Sequence, residues 1–124
     1  MQINDIRVTV KTQFQDHYSD MADHRYVYAY TITIANLGQQ PAQLISRYWK
    51  IRNANNKIQE VEGMGVVGEQ PRILPGESFT YTSNAILETE TGTMEGYYIM
   101  HNDNGESFKA IVPLFGLVPA HSIH

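Results

Sequence analysis

The feature that most constrains this chain is a two-residue alternation that returns along its length. Ile6, Val8, Val10, Thr12 and Phe14 alternate with Arg7, Thr9, Lys11 and Gln13, and the pattern resumes as Tyr26, Tyr28, Tyr30, Ile32 and Ile34 against Val27, Ala29, Thr31 and Thr33. Successive side chains of a strand point to opposite faces, so each segment buries one face and wets the other. Aromatic and β-branched residues dominate the second segment, as strands prefer.

Turn residues divide the rest. "ANLGQQPA" interrupts the alternation with Asn36, Gly38 and Pro41, "QLISRYWKIR" supplies a third strand, "NANNK" turns the chain, and "IQEVEG" makes a short fourth. "LPGESFTYTSN" reads as a Pro-Gly turn feeding a strand through Phe79 and Tyr81, and "GTMEGYYIMH" and "SFKAIVPLF" are joined by Asn102-Asp103-Asn104-Gly105, an Asn-Gly hairpin signal. About seven short strands and no amphipathic helix predict an all-β, antiparallel β-sandwich of the immunoglobulin-like or fibronectin type III-like kind. The single tryptophan, Trp49, lies in the third strand and is expected to fill the space between the sheets.

A chain of 124 residues suits one domain, and 42% hydrophobic against 18% charged residues suffices for a continuous core. The tail from about residue 117 is expected to be loosely held. Acidic residues outnumber basic ones 13 to 9, for a formal charge of −4, and no basic cluster stands out, so direct nucleic-acid binding is not expected. There is no cysteine, which excludes disulfides and a thiolate nucleophile. The start has no signal-peptide pattern and no apolar run reaches membrane-spanning length, so a cytoplasmic protein without membrane contact is expected.

"GMGVVG", residues 63–68, fits G-x-G-x-x-G. In dinucleotide folds that pattern lies between a strand and a helix whose N-terminus faces the pyrophosphate. Here a strand precedes it, but "EQPRILPGE" follows, and its two prolines exclude the helix. No Lys-Ser/Thr pair follows for a Walker A loop, and the partner motifs of a kinase glycine loop are missing. The glycines are therefore read as a backbone bend. The functional alternative is an anion or nucleotide site made from backbone N–H groups at Gly63, Gly65 and Gly68, with Arg72 as counter-charge.

Other chemistry is weaker. The loop Asp16-His17-Tyr18-Ser19-Asp20-Met21-Ala22-Asp23-His24 has carboxylates and imidazoles but no ligand spacing, so it is read as solvated, and no metal site or cofactor is expected. No G-x-S-x-G elbow is present and the histidines are scattered; Glu60 and Glu62 share one strand face and are read as its wet side, so no catalytic residues are assigned. Arg47 shares an apolar row with Ile45, Trp49 and Ile51, and is expected to form an ion pair with a glutamate.

Several spaced segments in order, "RYVYAYTITIANLG", "GVVGEQP", "PGESFTYTS", G-x-M-x-G-x-Y-x-M over residues 92–100, and "VPLF", closely resemble the bacterial ApaG family over nearly the whole chain. The resemblance implies one ApaG domain over residues 1–124 and a fibronectin type III-like or immunoglobulin-like fold. It implies no established catalysis, so an enzyme is not expected. It also implies an association with cobalt tolerance and magnesium efflux, and a role in protein contacts. The reading that follows is a binding module for an unknown protein partner, with homodimerisation through edge strands as a further expectation. The alternative is a sensor for a phosphate-rich nucleotide, pyrophosphate or a divalent cation.

Overall fold

The computed structural model of the protein describes residues 4–119. Among the described residues eight strands follow in order: β1 (Ile6–Phe14), β2 (Tyr26–Asn36), β3 (Ala42–Asn53), β4 (Ile58–Met64), β5 (Arg72–Ile73), β6 (Ser78–Leu87), β7 (Gly92–Asn102) and β8 (Ser107–Leu117). The strand beyond the expected seven is β5, whose two residues are too few to carry a period. Two 3-10 turns, Asp16–Tyr18 and Met21–Asp23, shape the polar loop, and the Asp20 carboxylate accepts from the Asp23 N–H at 3.2 Å. No helix among the described residues is long and apolar enough to cross a membrane.

All pairing is antiparallel and makes two sheets, β1-β2-β6 and β4-β3-β7-β8, with β5 continuing the outer edge of β3 beyond β4. This is the sandwich that the alternation predicts. β1 packs beside β8 and closes one long side. On the other side β6 and β4 are the outer strands of their sheets.

Every second residue of β2 enters the core: Tyr28, Tyr30, Ile32 and Ile34 are buried. Opposite them lie Trp49, Met94, Tyr98 and Met100. Trp49 packs edge-on against Tyr30, Tyr98 and Phe115, filling the inter-sheet space as expected. Burying such a side chain contributes about 1.5–3 kcal/mol before any ring-geometry term. The Tyr81 and Tyr98 hydroxyls, one from each sheet, meet at 2.6 Å and satisfy each other where water is excluded. Burial raises the pKa of both above the ordinary tyrosine value; the hydrogen bond with Tyr98 works against that at Tyr81, and the nearby Tyr81 adds to it at Tyr98.

Gly96 marks the closest approach inside the five-stranded sheet. A Cβ there would overlap the Tyr48 carbonyl oxygen and press on the Trp49 ring at 3.0 Å, so the register between β3 and β7 depends on the missing side chain. The loosely held tail expected from about residue 117 falls mainly outside the described residues. Leu117 itself pairs with Gly92 and is fully buried.

Candidate functional site

The glycine segment leaves β4 and returns as β5 on the same edge of β3. Between the two, the β3–β7 register shifts at Leu44/Ser46, a bulge centred on Ile45. The Ile45 carbonyl accepts from the Gly65 N–H at 2.8 Å and from the Gln70 side chain at 2.9 Å, which pins the segment to the bulge. The Leu44 N–H donates to Pro71 O at 2.9 Å and resumes the ladder into β5. Thus "EQP" is the second clamp of a loop whose first clamp is Gly65.

Val66 and Glu69 exchange both backbone hydrogen bonds, at 2.8 and 2.9 Å, around Val67 and Gly68. Both central residues have positive φ, 43° and 80°, so residues 66–69 form a two-residue reverse turn of the primed type. Gly65 also has positive φ, 66°, and a Cβ on it would collide with the Glu69 carbonyl. Val67 is the anomaly, a β-branched residue in the left-handed region, and it is 54% exposed.

The three glycines do come together, each with its own role. Gly63 sits beneath the Arg47 guanidinium, whose three terminal atoms would lie 2.8–3.0 Å from a Cβ. Gly65 spends its N–H on Ile45, and the Val66–Glu69 exchange leaves the N–H groups of Val67 and Gly68 outside the pairing. Arg72 does not join them; it engages Asp103 of the β7–β8 turn at 2.7 Å.

The cation beside the glycines is Arg47. Its Nη1 donates to Gly65 O at 2.9 Å and to Met64 O at 3.3 Å. The ion pair with a glutamate expected for Arg47 is not formed: among the described residues no carboxylate lies within salt-bridge reach of it. Glu60 instead accepts from the Tyr48 hydroxyl at 2.6 Å on the outer face, a bond that raises the Tyr48 pKa to about 12. The reason is geometric. Arg47 lies on the inward face with Trp49, at the open side of the sandwich, whereas Tyr48, which meets Glu60, points outward. Arg47, Val66, Val67, Tyr81 and Ser83 line a depression of about 380 Å³ there. Parity along "SRYWKI" places Arg47 on the inward face, but nothing local could pair that position with carbonyls 17 and 18 residues on.

The Asp16–His24 loop does not gather ligands: among the described residues no group of three or more His, Asp or Glu side chains is arranged to hold a metal ion.

A family model described as the ApaG domain matches residues 16–102. Protein ApaG of Sodalis glossinidius is 54% identical over 117 residues, covering 93% of this chain and 94% of that one; Protein ApaG of Salmonella arizonae is 48% identical over 124 residues, covering 98% and 99%. Among solved structures, the putative ApaA protein from Bordetella pertussis superposes with a TM-score of 0.94 at 42% identity, over 96% of this chain and 97% of that one. A protein from Archaeoglobus fulgidus, 8% identical with a TM-score of 0.57 over 92% of this chain and 97% of that one, shares the fold alone.

Proposed function

The chain belongs to the ApaG domain family, and from that premise we propose that it is a non-enzymatic binding module that holds another protein at a sheet edge. The observation that carries this reading is β6. Its ten residues, Ser-Phe-Thr-Tyr-Thr-Ser-Asn-Ala-Ile-Leu, contain no charge and no proline, and its free edge borders a groove. Outer strands usually carry such guards against pairing with a second chain. Here β1 has Arg7 and Lys11, β4 has Glu60 and Glu62, and β8 has Lys109 and Pro113. An unguarded edge of this length is what strand addition by a partner requires. In this reading the family's association with cobalt tolerance and magnesium efflux belongs to the protein that the edge recruits, and the module works in the cytoplasm.

The test is site-specific photo-cross-linking in living bacteria, with the reactive residue at Thr82 of β6 or at Thr9 of β1. A discrete adduct from Thr82 alone is the expected result. Equal labelling from both positions, or none from either, sinks the reading.

The alternative, capture of a phosphate-rich nucleotide or pyrophosphate, has one observation in its favour: Arg47, Val67 and Gly68 line the same depression. Calorimetric titration with pyrophosphate and diadenosine tetraphosphate tests it, and saturable heat that disappears in Arg47→Gln is the result that would promote it.

A further inference from the structure

The geometry points to an extended acidic peptide as the occupant of the β6 edge, with a carboxylate and an apolar side chain four residues apart on its inward face; this rests on the reading of the edge above. β6 is the outer strand of its sheet, and among the described residues no backbone group from Phe79 to Ile86 bonds outside the β2–β6 ladder. A strand added there would satisfy those groups and direct every second side chain into the gap between β6 and β4.

That gap has two ends of different chemistry. At one, Arg47 faces the space beside Tyr81 and Ser83, with the Val67 turn as a wall. At the other, Ile51, Ile58, Ile86 and Leu87 line a depression of about 260 Å³ together with Asn53 and Gln59, and Lys57 and Glu88 rim it. Ser83 and Leu87 are four residues apart on β6, and Arg47 and Ile51 are four apart on β3, so at about 3.3 Å per residue the ends lie roughly 13 Å apart. A carboxylate opposite Ser83 reaches the guanidinium, and an apolar residue four positions away in the added strand fills the second depression. Arg47 holds two carbonyls and has no carboxylate within reach among the described residues, so the bound acid would supply the first opposite charge beside it.

The same charge decides against a second copy of this chain. A β6–β6 pairing would turn Tyr81, Ser83 and Ala85 into the gap, and none of them is anionic. It would cover Arg47 without neutralising it, and a cation desolvated without a partner is costly.

The probe is a capped nine-residue peptide of alternating Thr and Val carrying Glu at its third position and Leu at its seventh for a strand running parallel to β6, with the Glu and Leu positions exchanged for an antiparallel one, titrated into the full chain and followed by amide NMR shifts and calorimetry. Expected are shifts confined to residues 78–87 and the groove, and binding weakened about tenfold or more when the Glu is replaced by Gln or when Arg47→Gln is used. Moving the Leu to the sixth position should weaken binding similarly, because it then faces away from the groove. If Arg47→Gln fails to fold, the Gln peptide makes the same comparison on the wild-type chain. Binding that ignores the Glu, shifts away from β6, or sedimentation showing two copies joined through 78–87 would overturn the inference. A Thr82 adduct with a partner that has no extended acidic segment would also overturn it, yet would leave the binding-module reading standing.

Discussion

On one long side of the sandwich β1 packs beside β8, and on the other β6 and β4 leave a groove between them. The closed side is guarded by Arg7, Lys11, Lys109 and Pro113, while β6 has no such guard. What lies beside the open side is the glycine segment, whose tight turn props Val67 over the groove and whose carbonyls hold Arg47. The difference teaches that these glycines shape a wall of an open surface. Gly65 spends its N–H on the Ile45 carbonyl of β3, and the cation the glycines flank belongs to that same strand.

Both sides share one spine, the β3–β7 pairing, and its closest contact is the sharpest place to test that. Gly96→Val should cost about 3 kcal/mol or more, since the added atoms meet the Tyr48 carbonyl and the Trp49 ring where neither can yield. Denaturant titration measures it, and a loss below about 1 kcal/mol would break the claim that the spine supports both sides. Gly65→Val should cost about 2 kcal/mol through positive φ and collision with Glu69, and should act on one side only. Hydrogen exchange is expected to quicken across residues 63–73 while β1 and β8 keep their protection; equal loosening of both sides would show that the comparison is false.

Val67→Asn tests the turn in the opposite direction. It makes Asn-Gly at the two positive-φ positions, relieves a β-branched residue there, and should stabilise the fold by about 1 kcal/mol. A neutral or destabilising result would mean that contacts of Val67 in the groove outweigh its backbone strain. The smallest effect at ordinary pH comes from the tyrosines. Burial, then the charge of Glu90, raises the Tyr28 pKa to about 12, while its hydroxyl donates to Glu90 O at 2.6 Å. A pKa raised on folding means stability that is intact below about pH 10 and lost as pH rises toward 12. The denaturation midpoint should therefore stay flat through neutrality and fall above pH 10, and a Tyr28→Phe variant should fall less steeply.

Much of the fold was legible because half-buried strands write their burial into every second residue. Tyr28 to Ile34 and the Asn102–Gly105 turn stand where alternation and turn chemistry place them. The two residues of β5 were not legible, because they exist as a strand only by pairing with Ala42 and Gln43. The site was half legible. Gly63, Gly65 and Gly68 are visible in the sequence as a bend, but the anion-site alternative has Arg72 as its counter-charge, whereas the structure brings Arg47 to the glycines and gives Arg72 to Asp103.

By itself the sequence determined the fold class, the inward faces of the long strands, and that the glycines open no helix, because periodicity, turn residues and proline act within a few residues of where they stand. Only the tertiary structure decided which cation meets the glycines, which edge is left open, and that a bulge at Ile45 receives the Gly65 and Gln70 clamps. Those outcomes depend on contacts between segments far apart in the chain, where register, sheet order and the approach of two backbones select the partners.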